Sequence, residues 1–239
     1  MRNFPIEKSL PSISYIVNTW PKSKNILKKF VMSNQKKPDL FKLSLNCLKD
    51  MNIYRLGNYR SVLKELSKIC SYNHCTNTYH NQHHFKTVIV ISCILAKLIN
   101  LHKKDRFLLV LIAMTHDMNH QGRRIISKPY YQEDKSARDL HRKIFRKILN
   151  NKKWNRIRKI FRSTYFPVKP DIVTDKLEKI ILDADILASL MFGVDCGIEF
   201  ARRLKHEIRY EDDVKKLFGG FLNILSEKSL YLDSSKDSC

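Results

Sequence analysis

The chain reads as an all-α protein, a single helical bundle. Three observations lead there. Breakers are scarce, with 6 Gly and 7 Pro in 239 residues, which argues against a turn-dense β fold. Leucine, isoleucine, lysine and arginine are abundant along the whole chain, a composition that favours helices. Apolar residues recur at helical spacing in one segment after another, and no segment alternates convincingly as a strand does.

Residues 1–20 read as irregular, punctuated by Pro5 and Pro11 and followed by Pro21. Helical spacing begins at 22–33 (Ile26, Leu27, Phe30, Val31) and 39–50 (Leu40, Leu43, Leu45, Leu48). It continues over 59–70 (Val62, Leu63, Leu66, Ile69). Residues 80–101 are apolar nearly all round, and Asp105 is the expected cap of a second such helix that carries Phe107 to Met114. Helices of this kind belong at the centre of a bundle. Further helices are expected over 133–149, 152–165, 174–191, 196–209 and 212–228, with Pro167 and Pro170 between the second and third of these. No repeat or flexible linker divides the chain. The expected organisation is a helical extension over 1–55 packed on a main domain over 56–230, with a flexible tail over 231–239.

Composition narrows the function classes. Apolar residues make up 43% of the chain, enough for a core without disulfide staples and too many for intrinsic disorder. The N-terminus has no continuous apolar stretch of the secretory type, and the apolar runs Val88–Ala96 and Phe107–Met114 fall far short of the ~20 residues a membrane span needs. The six cysteines show no CxxC spacing and suit reduced thiols. A cytoplasmic protein is the expectation. The formal charge is +22. Lys, Asn and Ile are common throughout, as AT-rich codon usage produces. Residues 140–170 nevertheless hold eleven Lys or Arg and no acid. Two readings of that block stay open: a solvated helical surface, or a patch for nucleic acid or an anionic membrane surface.

Five of the nine histidines fall in two short segments, Tyr79-His80-Asn81-Gln82-His83-His84 and Thr115-His116-Asp117-Met118-Asn119-His120. At i and i+4 on a helix, His80 and His84 share a face, as do His116 and His120. A third segment, Asp183-Ala184-Asp185, is set inside the apolar run Ile180–Leu190, where carboxylates are costly unless paired or bound to metal. Each feature alone has an ordinary explanation, a satisfied core histidine or a helix cap. Together they place imidazoles and carboxylates on three central helices, a donor set that suits a divalent metal ion.

Tyr79-His80-Asn81-x-x-His84, then His116-Asp117-x-x-His120-x-Gly122, then Ala184-Asp185-Ile186 together resemble the HD superfamily of metal-dependent phosphohydrolases. Within it, the pattern is most similar to the catalytic domain of class I 3′,5′-cyclic nucleotide phosphodiesterases. The resemblance covers roughly residues 59–190 in spaced motifs. It implies an all-helical bundle around a central two-metal site. By position, His84, His116, Asp117 and Asp185 would hold the first ion, of the zinc, iron or manganese kind. Asp117 would bridge to a second, more hydrated magnesium or manganese ion, and His120 would stand beside that ion's waters. His80 and Asp117 would carry catalysis, His80 as the acid that protonates the leaving oxygen. His83 has no matched role.

The implied activity is hydrolysis of a nucleotide phosphoester, with a 3′,5′-cyclic nucleotide as one candidate. A 5′-nucleotide phosphomonoesterase of the same superfamily is an alternative, and a basic protein that binds nucleic acid or anionic surfaces through residues 140–170 is the alternative from another class. The chain departs from the family pattern at four points. Gln121 replaces the usual proline. Arg123 and Arg124 stand near a usual asparagine, where they are candidate phosphate-binding residues. The glutamate that orients the acid histidine has no clear counterpart, Asp134 and Asp139 being nearby candidates. No glutamine follows Gln132, so the glutamine that holds the purine has no counterpart in the C-terminal part; Asn223 is a candidate replacement, and Phe218 or Phe221 are candidates to stack on a base.

Overall fold

The structure, a computed structural model, describes residue 6 and residues 9–33, 37–72, 77–122, 128–143, 151–165, 173–227 and 230–236. Among these residues the chain is all-helical and has no strand. In order the helices are α1 (Ile13–Asn18), α2 (Lys24–Met32), α3 (Leu40–Asp50), α4 (Tyr59–Tyr72), α5 (Gln82–Leu98) and α6 (Lys103–Thr115). There follow α7 (Tyr131–Lys143), α8 (Asn151–Ser163), α9 (Lys176–Leu190), α10 (Val194–Ile208), α11 (Val214–Glu227) and α12 (Asp233–Lys236).

Helix α5 is the axis of the bundle. It packs against α1, α2, α3, α4, α6, α9 and α12, and thirteen of its seventeen residues are buried. A helix apolar on every face has no side to turn to water, so it is surrounded. α6 and α9 flank it for the same reason, with Leu109–Thr115 and most of Leu177–Ser189 buried. α8 packs on α7 and α9, and α10 packs on α9 and α11.

Helix boundaries depart from the apolar pattern where polar side chains intervene. Asn81 caps α5, its Oδ1 accepting the His83 N–H at 2.9 Å, so His80 lies before the helix. His102, not Asp105, is the N-cap of α6. Asp105 stands in the first turn and pairs with Arg156 at 2.9 Å. α6 stops at Thr115, with His116 at its C-cap and a turn through Asn119.

Described segments near both termini are fastened to this core. In the segment expected to be irregular, Ser12 caps α1 by accepting the Tyr15 N–H, and the Ser14 N–H donates to buried Asp50 at 3.0 Å. The Lys86 ammonium donates to the Phe30 and Ser33 carbonyls at 2.8 and 3.0 Å, satisfying the end of α2. Residues 231–236, expected to belong to a flexible tail, are held by Asp183 of α9. Its carboxylate accepts the N–H groups of Tyr231 and Leu232 at 2.9 and 2.8 Å, and Leu232 and Ser235 are buried.

Four of the described cations of the 140–170 block face acids. Arg156 bridges Asp105 and Asp175, Arg158 and Arg162 share Asp134, and Lys159 meets Glu178. These pairs tie α8 to α6, α7 and α9. Among the described residues, no helix is long and apolar enough to cross a membrane. Cys47, Cys70, Cys93 and Cys196 are buried free thiols.

Candidate metal centre and cavity

Three helices deliver four donors to one point. His84 comes from the first turns of α5, His116 and Asp117 from the end of α6, and Asp185 from the middle of α9. One ligand atom from each lies within 4.8 Å of all the others. His116 Nε2 stands 3.1 Å from Asp117 Oδ2 and 3.8 Å from Asp185 Oδ1. His84 Nε2 stands 3.5 and 3.2 Å from the same two atoms. In a tetrahedral site with the ~2.0–2.2 Å bonds of zinc, ligand atoms sit about 3.4 Å apart, so the spacing fits.

The hydrogen bonding fits as well. Both Nε2 atoms are buried and have no hydrogen-bond partner. His116 Nδ1 lies 3.1 Å from the Ala113 carbonyl. A proton on Nδ1 makes that bond and leaves the Nε2 lone pair facing the carboxylates, the tautomer a metal ligand needs. Burial works against charge on His84 and His116, yet Asp117 and Asp185 hold both imidazoles above their ordinary value. Burial likewise opposes ionisation of the two aspartates, and the two histidines hold them below the usual carboxylate range. Such a cluster favours positive charge at its centre. These residues could hold a metal ion.

The remaining histidines of the two motifs form a second cluster. His80 and His120 stack, with ring centroids 3.6 Å apart and planes 21° apart. Each His-x-x-x-His pair, expected to share one helix face, is therefore divided between the clusters. The cause is local: α5 begins after His80 and α6 ends before His120, so neither pair lies on continuous helix.

Glu207 of α10 binds this second cluster. Its Oε1 accepts from His80 Nδ1 at 2.6 Å and lies 3.3 Å from His120 Nδ1. Its Oε2 accepts the N–H groups of Tyr79 and His80 at 2.7 and 2.9 Å. Burial opposes its ionisation, and the two histidines hold it below the usual carboxylate range. Burial and the stacked His120 lower His80, with Glu207 and Asp117 acting the other way. His80 Nε2 faces the metal cluster, 3.9 Å from Asp117 Oδ2. Asn77 closes the loop by donating to the carbonyls of His80 and His120.

Glu207 escaped the sequence reading, which looked to Asp134 and Asp139. Asp134 takes Arg158 and Arg162 instead, and Asp139 accepts from the Asn119 amide at 3.0 Å. The available signal was a glutamate on the apolar stripe of an amphipathic helix, in register with Phe200 and Leu204.

Both clusters open into a cavity of about 420 Å³. His80, Asp117, His120 and Asp185 line one end. Its far wall comes from α9, α10 and α11 and is largely apolar, including Leu204, Leu217, Phe218 and Phe221, with Ser189 and Lys216 as polar members. A Cβ at Gly197 would stand 2.5 Å from the Phe218 ring, so the glycine lets that ring pack directly against α10. Gln132 and Glu133 line the opposite side, and the Gln132 carbonyl accepts the Gln121 N–H at 2.6 Å. Asn223 is exposed on α11. His83 belongs to neither cluster; burial, Lys86 and Arg203 lower it to about 4. Arg123 and Arg124 lie outside the described residues. No family model, curated protein or solved structure matches the chain.

Proposed function

We propose that this chain is a divalent-metal-dependent phosphohydrolase that cleaves a nucleotide phosphoester, with 3′,5′-cyclic nucleotides as the first substrate class to test. The observation that supports it most is the pair of adjoining clusters at one end of a cavity. One is built to hold metal, and the other presents an oriented imidazole to it. His84, His116, Asp117 and Asp185 would hold one ion, with zinc, iron or manganese suited to the donors, and Asp117 would bridge to a second, magnesium or manganese. Bound divalent ions supply Lewis acidity toward the phosphoryl oxygens and lower the pKa of water.

The chain's own residues do the rest. Glu207 accepts a hydrogen bond from His80 Nδ1–H, which turns Nε2 toward the cavity. A phosphate anion beside Nε2 favours the imidazolium, and that proton goes to the leaving oxygen. His120 stacks on the His80 ring and limits its rotation. Phe218 and Phe221 offer faces on which a base can stack. The buried thiols agree with a cytoplasmic location. Nucleic-acid or anionic-surface binding has less support, because Arg156, Arg158, Lys159 and Arg162 already face acids.

The test is to strip the protein with chelator and reload it with zinc, manganese or magnesium. Metal content is measured, and then turnover of 3′,5′- and 2′,3′-cyclic nucleotides and of 5′-mononucleotides. Metal-dependent release of a 5′-mononucleotide from a 3′,5′-cyclic one supports the proposal. Phosphate release from 5′-mononucleotides alone would move it to the phosphomonoesterase. A fully loaded protein that turns over none of them refutes it.

A further inference from the structure

We propose that His80, His120 and Glu207 form a separate site for a zinc-class dication, and that an ion there prevents His80 from delivering a proton. The inhibitory half rests on the hydrolase reading; the binding half stands without it.

Three donors converge on one spot. His80 Nδ1, His120 Nδ1 and a Glu207 carboxylate oxygen all lie within 4.8 Å of one another. Both Nδ1 atoms approach the same oxygen, at 2.6 and 3.3 Å, and since the rings stack nearly parallel they must fan apart for both lone pairs to point at one ion. The Gly122 N–H donates to His120 Nδ1 at 3.2 Å, so that nitrogen presents a lone pair. Positive charge between that nitrogen and the carboxylate, 3.3 Å apart, is favourable, whether a proton shared from His120 or a metal ion supplies it. Glu207 is 91% buried, which strengthens that preference.

The chemistry selects the ion class. Two imidazole nitrogens and one carboxylate oxygen suit zinc, cobalt or nickel; magnesium and calcium prefer oxygen. A tetrahedral site needs donors about 3.4 Å apart. The His120–Glu207 distance already meets that, and His80 Nδ1 must withdraw by roughly 0.8 Å from Glu207 for the same ~2 Å bonds. The Nδ1 proton leaves to solvent, and water from the cavity completes the coordination. This site does not use Asp117, which separates it from any ion bridged to the metal cluster. With an ion on Nδ1, Glu207 no longer holds the ring in the proton-donating arrangement.

The experiment is zinc binding to the full chain by calorimetry, with metal content checked by mass spectrometry. Wild type should show a tight event and a weaker one. His120→Ala and Glu207→Gln should keep the tight event and weaken the other by at least the ~10–100-fold that loss of an outer partner costs a metal site. Retention of the tight event shows that the variants are folded. Anomalous scattering from zinc-soaked wild-type crystals tests the site without any variant, with a peak expected within bonding distance of all three side chains. A single event in wild type, a weaker event untouched by both substitutions, or no peak at this position overturns the site. If binding holds and zinc at the weaker event's concentration leaves phosphoester turnover intact, the inhibitory role is refuted. If the protein turns over no phosphoester, the hydrolase reading fails and the site stands on binding alone.

Discussion

Replacing Glu207 with glutamine should stop proton delivery without disturbing the metal cluster. The native carboxylate serves donors on both sides: His80 Nδ1 at 2.6 Å from one oxygen, and the Tyr79 and His80 N–H groups at 2.7 and 2.9 Å from the other. An amide can satisfy one side only. If its oxygen faces His80, its NH₂ meets two backbone donors, and each buried donor left without an acceptor costs about 1–3 kcal/mol. If its oxygen faces the backbone, NH₂ meets His80 Nδ1, which must then accept. The second arrangement leaves no donor facing a donor, against two in the first, and wins. It fixes His80 as neutral imidazole with its proton on Nε2, a far weaker acid than imidazolium. Turnover of a cyclic nucleotide should fall by the full ~10²–10⁴ of general-acid catalysis. That corresponds to roughly 2.7–5.5 kcal/mol of barrier.

The assay compares leaving groups in Glu207→Gln and wild type, with metal content measured on the same samples. A phosphodiester of p-nitrophenol needs little proton assistance and should lose far less than a ribose ester. Equal losses on both esters would refute the acid role of His80. Loss of metal in step with activity would show that Glu207 supports the metal cluster instead.

Asp117→Ala should remove both bound metal and activity; full metal content in that variant would refute the assignment. Burial raises the Glu133 carboxyl to about 7 from an ordinary 4.5, so between those values the folded state keeps a proton that the unfolded chain releases. That contribution is fully present below about pH 4.5 and is lost as pH rises through 7, on the order of 3 kcal/mol at most. Glu133→Gln should flatten the fall in stability between pH 5 and pH 8 in urea denaturation of chelator-treated protein, and an unchanged slope would count against it. Asp183→Ala removes the acceptor of two buried N–H bonds and should cost about 2–4 kcal/mol. Hydrogen exchange at Tyr231 and Leu232 should quicken while kcat per folded molecule holds; continued protection there would refute the anchoring role. The largely apolar far wall carries no amide to read a purine edge, so cyclic AMP and cyclic GMP should differ by less than ~100-fold in kcat/KM, and a larger preference would reveal another reader.

The central helices were legible because burial on all faces leaves a continuous apolar run. α5, α6 and α9 lie where Val88–Leu98, Phe107–Met114 and Ile180–Leu190 place them. Their ends were less legible, because a cap depends on the conformation of one residue. His102 instead of Asp105 begins α6, although aspartate is the better N-cap by type. Asp105 has Arg156 to meet, 51 residues away, and no local pattern contains that partner. α1 escaped notice because six residues between prolines offer too short a period to read.

The same distinction governs the site. Histidine and aspartate spacing marked His84, His116, Asp117 and Asp185, since each motif is local. The division of the histidines was illegible, because it depends on helices ending at Asn81 and Thr115. Asp183 and Asp185 lie two positions apart on α9, about 200° around the helix, so they cannot face the same point. Asp185 meets His84 and His116, while Asp183 accepts two N–H groups from residues near the other end of the chain. A carboxylate on an apolar helix face demands a cation or several donors, because burial without them is too costly. Sequence therefore announces that Asp183, Asp185 and Glu207 each have a partner. Which partner depends on helices meeting across long separations, 127 residues between Glu207 and His80. Ordinary paired acids and acids that orient a reacting group share this signature, and the packing of α10 against the Tyr79–His80 turn is what brings Glu207 to His80.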